Sequence, residues 1–107
     1  MSDAFDQRGE GFEKRFVMDE ELRFKALARR NKALGLWAAE RLGHSGTAAE
    51  AYADALVAAQ VGRDDHAVAA ALAHDFAAAG VDISAHRIGR KITEAMAEAV
   101  AEIKAGR

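Results

Sequence analysis

The 107-residue sequence contains no cysteine and no proline. Without cysteine there can be no disulfide and no thiolate metal site, so neither can substitute for a core. Runs of alternating β-branched residues are also missing, and nothing in the chain has the helix-breaking character of proline. An all-α fold is therefore expected. Aromatic residues are scarce, with five Phe, one Trp and one Tyr. Much of the apolar half of the chain is alanine, which packs helices closely but buries little area. The few large side chains must then supply most of the burial, at about 1.5–3 kcal/mol each. A net charge of −2 gives no global attraction to nucleic acid or to an anionic membrane. No apolar run approaches bilayer-spanning length, and the acidic, charged N-terminus lacks the pattern of a signal peptide. Neither nucleic-acid binding nor direct membrane insertion is expected, and the location expected is cytoplasmic.

What is present is organised around Asp19 to Leu42, the most information-rich helix pattern in the chain. Phe24, Leu27, Leu34 and Trp37 fall along one side of an ideal helix, with Leu22, Ala26, Ala33 and Leu36 beside them. This is a wide apolar face rather than a coiled-coil seam. Acidic residues open the stretch and basic ones follow, which suits the helix macrodipole. Asp19 with Arg23 and Glu21 with Lys25 are acid-before-base pairs at the four-residue spacing. Gly43 is the expected stop.

Residues 1–17 differ in character. Phe5, Phe12 and Phe16 stand at i, i+7 and i+11, within an arc of about 40° on a helix. Gly9 and Gly11 interrupt this stripe, each at a cost of about 1 kcal/mol relative to alanine. Two readings follow from the residues: the phenylalanines pack back onto the rest of the chain, or they form a recognition helix that orders in a partner's groove.

Three further helices are predicted. Thr47 with Glu50 matches a capping box and opens a helix from about Ala48 to Gln60. Asp64 and Asp65 begin a third, with Val68, Leu72 and Phe76 four residues apart and Gly80 as its stop. Ser84 caps the fourth, where Ile88, Ile92, Ala95, Met96, Ala99 and Ile103 form a clean amphipathic stripe and Ile83 with Ile88 form a hydrophobic staple. Four helices with short loops make a four-helix bundle with one long first helix.

Little in the chain suggests catalysis. The histidines at 44, 66, 74 and 86 form no metal-ligand pattern. A phosphate-cradling glycine loop ending in lysine and serine or threonine is absent. Acidic pairs such as Asp64-Asp65 read as helix-start charges. An enzyme is not expected, nor a cofactor or bound metal. The basic run Arg29-Arg30-Asn31-Lys32 has two readings, a solvated cationic face or an anion site. In the second, Arg29, Arg30 and Lys32 contact a carboxylate-rich partner or, weakly, an adenine nucleotide.

The run FKALARRNKALGLWAAE, preceded by an acidic turn and by FDQRGEGFEKRF, resembles the zeta subunit of the alphaproteobacterial F-type ATP synthase, a family first catalogued as a domain of unknown function. The similarity covers nearly the whole chain, and its specific part is the core from Arg29-Arg30-Asn31-Lys32 through Gly35-Leu36-Trp37-Ala38-Ala39. The resemblance implies an all-α, four-helix bundle over residues 18–107 with a flexible inhibitory arm over residues 1–17. It implies that the arm enters the catalytic head between alpha and beta subunits and blocks rotation in the direction of hydrolysis, with gamma also a partner. The carried-over positions are Phe5, Arg8, Glu10, Phe12, Lys14 and Phe16. The free chain is expected to be a monomer, peripheral to the inner membrane when bound to the synthase. Gly9 and Gly11 depart from the usual arm, where helix-favouring residues stand. They raise the ordering cost by roughly 2 kcal/mol, about thirtyfold in affinity. All four histidines lie outside the arm, so any pH-sensitive inhibition must act through the bundle.

Overall fold

The computed structural model describes residues 18–107. Those residues form four helices joined by short links: α1 (Glu20–Arg41), α2 (Gly46–Ala59), α3 (Asp65–Ala78) and α4 (Ala85–Lys104). The all-α four-helix fold with one long first helix is as the sequence predicts. The segment expected to be a flexible arm lies outside the described residues.

Most helix ends are where the capping chemistry places them. Asp19, Asp64 and Ser84 each accept the backbone N–H three residues on, from Leu22 (2.9 Å), Ala67 (2.9 Å) and Arg87 (3.0 Å). Asp19 thus serves as a cap, while the Glu21–Lys25 pair forms on the helix surface at 3.8 Å. At the other ends, α1 and α3 close alike. Gly43 and Gly80 adopt left-handed φ angles of 89° and 73°. In the next residue, His44 N–H donates to the Ala39 carbonyl and Val81 N–H to the Phe76 carbonyl. These are Schellman closures, which require a residue without Cβ strain at the left-handed position.

The second helix corrects the predicted capping box. It starts at Gly46 with Ser45 as N-cap, whose side chain makes no capping bond, and Thr47 falls inside the helix. With the start two residues earlier, Ala48 rather than Glu50 holds the third helical position, and the Glu50 carboxylate accepts from Lys32 Nζ at 2.8 Å.

The core collects Leu34 and Ala38 from α1, Leu56 from α2, Val68, Leu72 and Phe76 from α3, and Ile88, Ile92 and Ala95 from α4. Trp37 is half-buried and meets Phe76 edge-on, with ring centroids 5.6 Å apart. Val81 and Ile83 pack against the same cluster from the α3–α4 link. The buried face of α1 differs from the predicted one. It runs through Ala26, Arg30, Asn31, Leu34, Gly35, Ala38 and Ala39, an arc of roughly 220° by ideal helix geometry. Ala33 lies off this arc and is exposed. Phe24 lies within it by angle but too near the start of α1 to be covered, and is 58% exposed.

A polar tie joins α2 to α3. The Tyr52 hydroxyl donates to Asp75 Oδ2 at 2.6 Å. Burial, then this bond and the nearby carboxylate charge, push the phenol well above its ordinary value of 10.0. A raised pKa means the folded state holds the proton more tightly than the unfolded chain. The stabilisation is full below pH 10 and is lost as pH rises from there toward the folded-state value. Tyr52 is the chain's only tyrosine. An alkaline absorbance titration should therefore show no tyrosinate through the ordinary range and a sharp rise only on unfolding. A smooth titration centred near 10 in folded protein would contradict the tie.

Candidate functional site

The first residues of α1 join the described fold to the segment that carries the phenylalanine stripe. Asp19 caps this end and Glu20 and Glu21 fill its first turn, so negative charge lies where the exposed N–H groups of the helix start favour it. Phe5, Arg8, Glu10, Phe12, Lys14 and Phe16 precede this junction and lie outside the described residues.

The basic run stands two to three turns further along α1, and the fold separates its members. Arg29 points to α4, with Nη1 3.4 Å from Glu102 Oε1 and Nη2 donating to the Arg107 carbonyl at 2.9 Å. Lys32 points to α2, where Nζ lies 2.7 Å from Asp54 and 2.8 Å from Glu50. The hydrogen bonds to Asp54 and then Glu50 hold its ammonium above the ordinary value. Arg30 turns inward and is only 2% exposed. Its Nη1 meets Asp65 Oδ1 at 2.5 Å, and its Nε and Nη2 donate to Asn31 Oδ1 at 3.1 and 3.0 Å. Asn31, a mediocre helix former in mid-helix, is thus the neutral half of an internal guanidinium clamp. The three cations face three directions, each toward a carboxylate, so a phosphate arriving at any of them would have to displace one.

Sequence reasoning did not single out Asp65 as Arg30's partner, and a 35-residue separation leaves no local signal for it. A second cationic surface was also not anticipated. Arg41 and Lys91 stand 5.1 and 5.9 Å from the Trp37 ring centroid. Together with Arg87 and Arg90 they line an open cleft between α1 and α4. Among the described residues no group of three or more metal-ligating side chains gathers, and no helix is long and apolar enough to cross a membrane.

A family model described as ATPase inhibitor subunit zeta matches residues 1–102. The chain belongs to that family. A search among curated proteins gives no match. The zeta match takes in both the N-terminal segment and all four helices, ending within α4. Membership implies a role as an ATPase inhibitor and association with ATP synthase, and it suggests a non-catalytic part in that assembly.

Proposed function

We propose that the chain inhibits ATP hydrolysis by the F-type ATP synthase through insertion of residues 1–17 between an alpha and a beta subunit of the catalytic head. It contributes no chemistry of its own. Residues 18–107 are the bundle that carries the arm, and Phe5, Arg8, Glu10, Phe12, Lys14 and Phe16 are the contacts that hold it in the head, close to gamma. The observation that carries this reading is the extent of the zeta match, which begins at residue 1 and so includes the aromatic stripe. Three rings at i, i+7 and i+11 suit a helix that buries one edge in a groove. Arg29, Arg30 and Lys32 are each paired with a carboxylate of the bundle, which leaves the arm as the better-supported contact.

The test is steady-state ATPase activity of the cognate catalytic head with the full chain, a chain beginning at Met18, and the Gly9→Ala/Gly11→Ala double variant. The full chain should inhibit and the shortened chain should not. The double variant should inhibit at a concentration lower by up to about thirtyfold, because two alanines lower the cost of ordering the arm by roughly 2 kcal/mol. Equal inhibition by full and shortened chains would overturn the arm mechanism. No inhibition by the full chain at saturation would overturn the function.

A further inference from the structure

One cavity of the bundle is not absorbed by this reading. It lies between the first turns of α1 and the α2–α3 link, encloses about 170 Å³, and is walled by Phe24, Leu27, Val57 and Val61. Phe24 and Val61, the large hydrophobic residues exposed among those described, both stand on it, at 58% and 56% exposure. Its polar side includes Gln60, which is only 7% exposed and whose Oε1 is buried with no hydrogen-bond partner. An apolar cavity of about 150 Å³ is enough to hold a benzene molecule. The space is therefore of the size for one phenyl ring.

We infer that this cavity is a docking site for the chain's own N-terminal segment, with Phe12 as the ring. The inference rests on the proposed inhibitory role only for its consequence. The segment ends at Asp19, the cap of α1, and Phe24 stands five residues on, about 7.5 Å along the helix axis. Phe12 is seven residues before Asp19, an extended reach of about 24 Å. That leaves ample chain to reverse direction, and Gly11 beside it supplies backbone freedom for the turn. A ring seated between Phe24 and Val61 covers both exposed side chains and occupies the cavity. Phe12 is also a proposed contact with the synthase, so docking on the bundle and insertion into the head exclude one another. A segment docked nine-tenths of the time would bind the synthase about tenfold more weakly than a free one.

The absence of cysteine permits a direct test on the full chain. A nitroxide attached through Gln7→Cys should broaden the amide signals of Val57, Gln60, Val61 and Gly62 at least about twofold more than those in the C-terminal half of α4. Phe12→Ala, or Val61→Asn on the exposed rim, should each remove the difference. No preferential broadening, or broadening that survives Phe12→Ala, would overturn the assignment. So would transfer of the broadening to an isotope-labelled copy mixed with an unlabelled spin-labelled one, since the occupant would then be a second molecule. Val61→Asn should also lower the half-inhibitory concentration several-fold toward the tenfold limit, and an unchanged value would overturn the competition. Loss of inhibition in every variant would sink the inhibitory role while leaving the relaxation result to decide docking by itself.

Discussion

Asp65→Ala is expected to destabilise the protein by about 3 kcal/mol, although the Asp65 side chain is 67% exposed. Surface substitutions of that kind ordinarily fall within about 0.5 kcal/mol. The difference comes from the other member of the pair. The Arg30 guanidinium is buried and has only the neutral Asn31 carbonyl along its other edge. Without Asp65 the cation stays inside without its counter-charge. Asp65→Asn retains an acceptor at the same place and should cost about half as much. Removing the cation is the cheaper way to break the pair: Arg30→Met fills similar volume, returns Asp65 to water, and leaves only the Asn31 carbonyl short of donors. The expected order in urea denaturation is therefore Asp65→Ala, then Asp65→Asn and Arg30→Met, then wild type. Asp64→Ala controls for helix-start effects and should cost about 1 kcal/mol, the usual value of an N-cap. If Asp65→Ala were no worse than that control, Arg30 would not depend on its partner.

Gly35→Ala is the second large effect, and its sign runs against helix propensity. In an isolated helix this change gains about 1 kcal/mol. Here an added Cβ would stand 2.5 Å from the Ala53 Cα and 2.8 Å from its Cβ. The nearer contact is backbone, so no side-chain rotation relieves it and α1 must move away from α2. Overpacking of this kind costs about 1–3 kcal/mol or more. A net loss of about 2 kcal/mol is expected, and a greater one for Gly35→Leu. Ala53→Gly should rescue Gly35→Ala only in part, since it removes the Cβ and leaves the Cα. Full rescue, or a stabilised single variant, would show that the two helices separate at little cost. Asp65 on α3 pairs with Arg30 and Gly35 on α1 meets Ala53, so the two sites share no partner and their effects should add.

The helices and most of their ends were legible because the signals are local. Asp64 and Ser84 cap the N–H three residues downstream, and Gly43 and Gly80 supply the left-handed closures; each is readable from a handful of neighbouring residues. The Thr47–Glu50 box is absent because α2 starts two residues earlier, at Gly46 with Ser45 as its N-cap. Phe24 was misplaced because periodicity gives the direction of a side chain around the helix and not how far the covering helices extend along it. Arg29, Arg30 and Lys32 formed one cluster in the sequence, yet successive residues on a helix diverge by about 100°, and the fold turns them toward α4, the interior and α2.

By itself, the sequence determined an all-α chain of four helices, where most of them begin and stop, and its likeness to the zeta family on which the N-terminal aromatic segment is read as an arm. Only the tertiary structure decided that Arg30 is a buried ion rather than a surface charge, that Gly35 is the close approach between α1 and α2, and that Phe24, Gln60 and Val61 meet around one cavity. The reason is physical: capping and periodicity act over one or two turns, whereas burial, ion pairing and steric contact depend on residues that the chain brings together from tens of positions apart.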